Sequence, residues 1–412
     1  MKNPLEKHFG RLIPAVSLAL LALGCASAPP PAPGPRAIRR LDGSTIQADA
    51  LTARIEQLMK AGNVHGLAVG VFNDRETVYL KAFGVKSTAT GEPLRTDTNF
   101  YGASLSKAVS AVLVMRLVEE GLIDLDTPLV KYLARPAYTY KATVPRAWHQ
   151  DLSDLEGDEL HKKITARMCL SHTTGFANWR WDEKDQKLRV NFEPGTRYSY
   201  SGEGFTFLQR VFEERAGKTL EELMQEKIFA LYGMTSSSFR WQPEFEKNYC
   251  FGHSKTGEVL EKDKDNEPRA PSTLETTPED YARFLRGVLR GDGLKEASWR
   301  EMFSPQIRLH SKQQMGPLSR ETTNAFDHLE LAYGLGWGLL TTPYGKGTFK
   351  EGHGDGFQHY TIIFPERGLG VMLLSNSDNA EGIFKDLLEA TIRDVYTPWE
   401  WQKYIPYDQA GR

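Results

Sequence analysis

The stretch from Tyr101 to Glu120 constrains the fold of this chain more than any other. Between Ala108 and Val118 every residue is apolar except Ser110 and Arg116. A helix on a protein surface keeps a polar face, so this pattern predicts a helix buried on most sides. Gly121 is a typical residue after a helix, so we expect the helix to end just before it.

The first turn of this helix carries Ser104 and Lys107. Residues three positions apart lie on the same helix face, one turn from each other. A lysine in a partly dry site has a lowered pKa and can take a proton from a hydroxyl. Ser-x-x-Lys therefore predicts a nucleophile and its base. In the alternative interpretation, Ser104 caps the helix and Lys107 is solvated.

Composition indicates a folded protein with a substantial core. The chain has 412 residues, of which 40% are hydrophobic and 11% aromatic, enough for one large domain or two smaller ones. The net charge of -2 provides no basis for binding nucleic acid. Neither metal-ligand nor disulfide spacing occurs among the three cysteines, Cys25, Cys169 and Cys250. We expect no metal and no organic cofactor, and we expect Cys169 to be a core residue.

The N-terminal segment has the pattern of an export signal. It opens with three cationic residues, Lys2, Lys7 and Arg11. The apolar run Leu12–Leu23 follows and is too short for a usual membrane span. The run leads to Cys25 and resembles a bacterial lipoprotein signal, cut before a cysteine that becomes lipidated, although Ala22 replaces a larger aliphatic residue. The alternative is ordinary secretion with cleavage near Ala26 or Ala28.

These patterns divide the chain into three parts. We predict a signal peptide at 1–24, a proline-rich tether at 25–50 and a single catalytic domain at 51–400. A lipidated Cys25 would hold the exported protein to the cell envelope without a membrane-spanning helix.

The domain is predicted to combine strands from both chain ends with a helical middle. Strands are predicted at Gly66–Phe72, Val78–Phe83, Tyr333–Leu340, Phe357–Phe364 and Gly368–Leu374. Helices are predicted at Leu51–Ala61, Phe205–Ala216, Leu220–Tyr232, Pro278–Arg290 and Ala380–Val395. This order indicates an α/β (α+β) fold whose sheet joins both chain ends, with a mainly helical region inserted at about 120–290.

Five short stretches point to a known family. They are, in order, Ala103–Lys107, Leu170–Gly175, Pro194–Gly202, Tyr333–Trp337 and Gly352–Gly354. They resemble the motifs of the serine β-lactamase-related proteins, which include class C β-lactamases, D-alanyl-D-alanine carboxypeptidases, D-aminopeptidases and family VIII carboxylesterases. The resemblance runs from about residue 66 to 392. It implies a β-lactamase/penicillin-binding-protein-like fold with an antiparallel sheet flanked by helices.

The resemblance also implies roles for individual residues. Ser104 would be the acylated nucleophile and Lys107 its proton acceptor. Tyr200 would be a general base, because a neighbouring lysine ammonium favours the phenolate; Tyr198 is the competing candidate. Gly202 stands where the family's Tyr-x-Asn motif has asparagine, and so lacks an amide that would contact an acyl amide or hold the lysine.

The third family motif, Lys-Thr-Gly or His-x-Gly, is matched by His353-Gly354-Asp355. Asp355 replaces the usual glycine, which leaves the register open by one residue. In this alignment the N–H groups of Ser104 and Gly356 would form the oxyanion hole. His353 would donate a hydrogen bond to the tyrosine–lysine network.

Two other stretches are expected to be structural. Lys255-Thr256-Gly257 has the literal third-motif sequence, but it precedes the helix at Pro278, whereas the family motif follows the helical insert. Its neighbours suit a hairpin turn. His172 lies in a stretch that the family carries as structure.

The sequence therefore predicts an exported serine hydrolase that works through an acyl-enzyme on Ser104. Its partner would be a small ester, amide or peptide substrate, and esterase activity is favoured. The alternatives are a D-amino-acid peptidase or β-lactamase, and a non-catalytic sensor or binding member of the fold.

Overall fold

The computed structural model describes residues 37–409 of the chain. The predicted signal peptide, Cys25 and the first part of the predicted tether lie outside these residues. The last part of that tether is folded, because it forms a hairpin of β1 (Ile38–Arg39) and β2 (Thr45–Ile46). Ile38 is fully buried, so the domain extends upstream of the predicted boundary at residue 51.

An eight-stranded antiparallel sheet forms the centre of the domain. The strands after β2 are β3 (Gly66–Asn73), β4 (Glu76–Gly84), β5 (Phe100–Tyr101), β6 (Glu275–Thr276), β7 (Ile307–Arg308), β8 (Ala332–Tyr333), β9 (Gly338–Thr342), β10 (Gly345–Gly354), β11 (Phe357–Phe364) and β12 (Leu369–Ser375). The sheet order is β4-β3-β12-β11-β10-β9-β8-β7, and β5 pairs separately with β6. Val69 pairs with Leu373, which confirms a sheet built from both chain ends.

Helices occupy the middle of the chain and flank the sheet. They are α1 (Ala48–Ala61), α2 (Leu105–Glu119), α3 (Ala166–Leu170), α4 (Gly202–Ala216), α5 (Leu220–Met224), α6 (Ala230–Tyr232), α7 (Pro278–Arg290), α8 (Glu296–Met302), α9 (Glu381–Ile392) and α10 (Trp399–Gln402). A π-helical turn, Gln225–Phe229, joins α5 to α6. Within residues 37–409, no helix is long and apolar enough to span a bilayer. The arrangement confirms the predicted mixed α/β class.

Strand β3 shows how the sheet separates two cores. Successive side chains of a strand point to opposite faces. Leu67, Val69 and Val71 belong to one buried cluster, which includes residues of α1 and α9. Ala68 and Phe72 belong to the other, which includes α2 and the helical region. The sheet is therefore covered on both faces.

Helix α2 is buried along most of its length, as its apolar sequence predicts. Its buried hydroxyls have partners, as buried polar groups require. Ser106 Oγ donates to the Ala103 carbonyl at 2.6 Å, and Ser110 Oγ donates to the Ala270 carbonyl at 2.8 Å. The first turn of the helix is thus fixed by core contacts.

Candidate active site

Ser104 lies at the N-terminal end of α2, immediately after a strained residue. Ala103 has φ of 46°, in the left-handed region that non-glycine residues seldom adopt. From β11, His359 Nε2 donates to the Tyr101 carbonyl at 2.8 Å. The central sheet therefore holds the turn that presents Ser104.

Lys107 faces Ser104 from the next turn of the helix. Its side chain is fully buried, and Nζ lies 3.0 Å from Ser104 Oγ. Nζ also donates to the Pro271 carbonyl at 3.0 Å. Burial, and secondarily the charge of Lys350, hold the pKa of Lys107 well below its ordinary value. The solvated alternative for Lys107 does not hold in this structure.

Tyr200 forms a compact group with Lys107 and Lys350. Its ring centre lies 4.8 Å from Lys107 Nζ, and its hydroxyl accepts a hydrogen bond from Lys350 Nζ at 3.2 Å. His172 stacks on the Tyr200 ring with centroids 4.2 Å apart, and its Nδ1 accepts from the Ser201 N–H at 3.0 Å. His172 therefore holds Tyr200 in place, the structural role that the resemblance implied.

The environment of Tyr200 does not favour a phenolate. Burial raises the pKa of Tyr200, and the nearby Lys350 ammonium offsets this only in part. The direction of this shift favours the protonated hydroxyl over the phenolate that the sequence analysis expected, so the role of Tyr200 as a base stays a prediction. Lys107, with its lowered pKa, is better suited to accept the Ser104 proton.

Tyr198, the competing tyrosine, packs in the core. Its ring lies 5.6 Å from that of Tyr333 and 6.2 Å from that of Trp401, measured between centroids. Burial raises the pKa of its hydroxyl well above the ordinary value. Only Tyr200 of the two tyrosines bonds to Lys350.

Lys350, on β10, is a site residue that the sequence analysis missed. Its side chain is fully buried, and Nζ donates to Glu351 Oε1 at 2.7 Å. Gln314 Nε2 donates to the same oxygen at 2.6 Å. Burial alone would lower the pKa of Lys350, but Glu351 and Tyr200 outweigh it and raise the pKa. Lys350 is therefore a buried ammonium beside the Tyr200 hydroxyl.

His353 does not join this network. Its Nε2 pairs with Glu381 on α9, and its side chain is 34% exposed. The cause is strand alternation: a Cβ on Gly352 would lie 2.9 Å from the Gly102 carbonyl, and one on Gly354 would lie 2.5 Å from the Tyr101 ring. These two glycines face the turn at residues 101–104 that presents Ser104, here called the nucleophile turn, so His353 between them points to the opposite face.

The turn between β10 and β11 also departs from the predicted oxyanion hole. The Gly356 N–H donates to Asp378 Oδ1 at 3.1 Å, so the donor on which the Gly356 prediction depended is already used. Among residues 37–409, the N–H groups of Ser104 and Asp355 make no such hydrogen bond. The free donor at this turn is one residue earlier than predicted, and the Asp355 side chain itself is exposed.

Gly202 makes room for an indole ring. A Cβ at Gly202 would lie 2.6 Å from Trp179, so an asparagine there would clash with that ring. The Gly202 N–H donates to Asn178 Oδ1 at 3.0 Å. Trp179 also approaches Lys107, with its ring centre 6.0 Å from Lys107 Nζ. The missing amide is thus replaced by an apolar surface.

A charged cavity of about 240 Å³ opens beside the nucleophile turn, with Tyr101, Gly354 and Asp355 in its wall. Its charged lining also includes Glu261, Lys262, Asp263, Asp265, Arg269 and Glu275. Burial raises the pKa of Glu275 to about 7, although the carboxyl pairs with Lys262. Across the described part of the chain, no three His, Cys, Asp or Glu side chains converge as metal ligands.

Comparison with known proteins identifies the family. The model of the Beta-lactamase family matches residues 51–392. The chain belongs to the Beta-lactamase family. Penicillin-binding protein 4 of Amycolatopsis lactamdurans is 25% identical over 83% of this chain and 88% of its own length. Lovastatin esterase of Penicillium rubens is 28% identical over 67% of this chain and 80% of its own.

A solved structure agrees with the fold. The octameric penicillin-binding protein homologue from Pyrococcus abyssi has a TM-score of 0.66 and 20% identity, over 85% of this chain and 80% of that one. The sequence-based resemblance to the β-lactamase-related proteins is therefore confirmed at the level of family and fold.

The stretch Lys255-Thr256-Gly257, which has the literal sequence of the third motif, forms a turn that does not contact Lys107 or Lys350 by a hydrogen bond. The Gly257 N–H donates to the Ser254 carbonyl at 2.9 Å, and Gly257 has φ of 88°. Lys255 is exposed. In this β-lactamase-family protein the segment forms the hairpin turn that its sequence predicts.

The two cysteines in the described part of the chain, Cys169 and Cys250, are both free and buried.

Proposed function

We propose that this protein is a serine hydrolase that cleaves small esters through an acyl-enzyme on Ser104. The observation that carries the proposal is the fully buried Lys107 amine, 3.0 Å from Ser104 Oγ. A neutral amine has a lone pair that can accept the hydroxyl proton, and burial favours the neutral form. The similarity to a lovastatin esterase supports an ester substrate.

The geometry supports separate proton-transfer roles for Lys107 and Tyr200. Lys107 takes the Ser104 proton as Oγ attacks the ester carbonyl. The Tyr200 hydroxyl, protonated at neutral pH, gives its proton to the departing alkoxide, while the Lys350 ammonium at 3.2 Å stabilises the phenolate that results. Lys107 then returns the proton to Tyr200. In the second half, water attacks the ester bond to Ser104 and the same groups carry the proton in reverse.

The charge on the tetrahedral intermediate would be stabilised by two backbone donors. We assign these to the N–H groups of Ser104 and Asp355, because both are without an acceptor in the described part of the chain. Two such donors, fixed before the reaction begins, stabilise the oxyanion. With this assignment the second donor lies one residue earlier than the Gly356 that the sequence alignment predicted.

Three features favour esters over β-lactams. Trp179 fills the position where an asparagine amide would contact an acyl amide. His353 is paired with Glu381 and so is not available to bind a substrate carboxylate. The exposed Asp355 carboxylate would repel that substrate carboxylate. An ester substrate requires none of these contacts.

The test compares two substrates in one preparation. We expect kcat/KM for p-nitrophenyl butyrate to exceed that for nitrocefin, with Ser104→Ala as the blank. A tenfold advantage for nitrocefin would contradict the argument from Gly202 and Asp355. Labelling of Ser104 by a fluorophosphonate without any turnover would instead identify a non-catalytic member of the family.

A second candidate is a substrate that carries an ammonium group, such as a D-amino-acid ester or peptide. The acidic lining of the cavity beside Asp355 favours it. Turnover of D-alanine p-nitroanilide faster than p-nitrophenyl butyrate would establish this candidate over the first.

Export with lipidation of Cys25 remains a prediction, because the segment lies outside the described residues. It is tested by fractionating cells that express wild type or Cys25→Ser. We expect the wild type in the membrane fraction and the variant in soluble exported form. A soluble wild type would leave ordinary secretion as the explanation.

A further inference from the structure

Three tryptophans form one aromatic group beside the catalytic lysine. Trp179 and Trp181 stack with centroids 5.2 Å apart and planes 17° from parallel. Trp148 meets both edge-on, at 5.7 Å and 4.9 Å. We call Trp148, Trp179 and Trp181 the tryptophan wall. Trp181 is 48% exposed, while Trp148 and Trp179 are half-buried, so the wall extends to solvent.

The inner end of the wall reaches the reacting groups. The Trp179 ring lies 6.0 Å from Lys107 Nζ and occupies the space that a side chain at Gly202 would need. A continuous apolar surface therefore leads from the catalytic lysine to an exposed indole. A contiguous apolar surface that reaches solvent, unlike single scattered side chains, indicates a binding site.

A buried ion pair anchors the segment that carries Trp179 and Trp181. Arg180, which lies between Trp179 and Trp181 in the sequence, donates through Nε and Nη2 to the two oxygens of Glu203, each at 2.9 Å. The Glu203 side chain is fully buried in the first turn of α4, three residues after Tyr200. The ion pair therefore connects the Trp179–Trp181 segment to the helix that begins just after Tyr200. A preorganised surface binds a ligand with less loss of conformational entropy.

We propose that the tryptophan wall binds an apolar chain or ring of the ester that acylates Ser104, and thereby selects substrates with such a group. The inference rests on the proposed function, because the bound group is part of the substrate of that site. The occupant must reach Lys107 at the inner end of the wall, which fits a small-molecule substituent. Planar indoles accept either a ring or an alkyl chain.

The apolar group can belong to the acyl half or to the alcohol half, and two substrate pairs distinguish them. The acyl pair is p-nitrophenyl acetate and p-nitrophenyl hexanoate. The alcohol pair is ethyl acetate and hexyl acetate, whose leaving groups have similar basicity. For each pair we compare the ratio of kcat/KM, long over short, in the wild type and in Trp181→Ala.

We expect the wild type to prefer the longer member of one pair, and Trp181→Ala to reduce that ratio about tenfold, as the loss of a large apolar contact would. Trp181→Phe should retain most of the preference. The matched control is Ile405→Ala, which removes an exposed apolar side chain elsewhere and should leave both ratios unchanged. The inference would be overturned by a wild-type ratio near unity for both pairs. A preference for the longer substrate that Trp181→Ala does not reduce would overturn it as well.

A binding measurement separates this inference from the proposed function. Ser104→Ala protein is titrated with p-nitrophenyl hexanoate by calorimetry, with and without Trp181→Ala. We expect the added substitution to weaken binding about tenfold, whether or not the wild type turns over esters. Equal affinities would contradict the tryptophan wall even if esters are hydrolysed. If the wild type does not hydrolyse esters but the tenfold difference in affinity is found, only the esterase assignment is contradicted.

Discussion

Lys350 Nζ lies 3.2 Å from the Tyr200 hydroxyl, although 150 positions separate the two residues. The ammonium therefore reaches the tyrosine from within β10. His353, which the motif alignment assigned to this contact, pairs with Glu381 instead. The charge beside Tyr200 thus comes from a residue three positions before His353.

Replacing Lys350 should change both the rate and its pH dependence. Lys350→Met removes the charge that stabilises a phenolate at Tyr200, and we expect kcat to fall about a hundredfold. Lys350 also lowers the pKa of Lys107. Without it that pKa rises, so Lys107 is neutral only at higher pH. The acid limb of the kcat/KM profile should therefore move to higher pH.

The control for this variant removes the unpaired carboxylate that it leaves behind. Lys350→Met leaves the buried Glu351 carboxylate without its ammonium partner, which is strongly destabilising. The double variant Lys350→Met/Glu351→Gln should recover stability but not rate. If it recovers the rate, the effect of Lys350 is structural.

Substitutions of Ser104 and Ser106 should distinguish a role in acylation from a role in stability. Ser104→Ala should abolish fluorophosphonate labelling, and it should change stability little, because Ser104 forms no side-chain cap bond. Ser106→Ala should retain most labelling and lower the unfolding temperature, because Ser106 Oγ bonds Ala103 and Leu274. Persistent labelling of Ser104→Ala would refute the nucleophile assignment.

Tyr200→Phe should lower kcat about a hundredfold, because it removes only the hydroxyl to which we assign proton transfer. Tyr198→Phe is the matched control and should have a much smaller effect, since Tyr198 packs against Tyr333 and the hydrogen bond from Lys350 goes to Tyr200. Steady-state kinetics on one ester decides between them. The reverse order of effects would assign the second motif to Tyr198.

His359 should contribute to acid sensitivity. Burial lowers its pKa from 6.5 to about 4. The unfolded chain therefore binds more protons between these values, and the contribution of neutral His359, about 3 kcal/mol, is lost as pH falls from 6.5 to 4. Urea unfolding across this range should show a smaller loss for His359→Gln than for wild type. His310→Gln, at a half-exposed position, is the control and should follow wild type.

Elements with strong local signals could be predicted from the sequence. Helix α7 has the predicted bounds, because Thr277 caps it and a proline occupies its first turn. Strand β11 also has its predicted bounds, Phe357–Phe364. The family motif likewise located Ser104 beside Lys107, since one helical turn suffices to bring them together.

Strand β10 and the charges on it could not be predicted in the same way. Its sequence contains four glycines, Lys350 and Glu351, and has little intrinsic strand propensity. Which face each side chain takes depends on register, and a shift of one residue reverses every face. The protonation state of Tyr200 could not be predicted from the sequence either, because its pKa depends on burial that only the folded chain creates.

The pairing of β3 with β12 has a consequence for the order of assembly. The Ser375 hydroxyl donates to the Gly66 carbonyl, 309 positions earlier, and the nucleophile turn is held by His359 from β11. Contacts between such distant parts of a chain form late. During synthesis, Ser104 emerges long before the strands that shape its turn. A nascent chain that has not yet reached β12 therefore lacks an assembled nucleophile site, so hydrolytic activity should arise only at the end of folding.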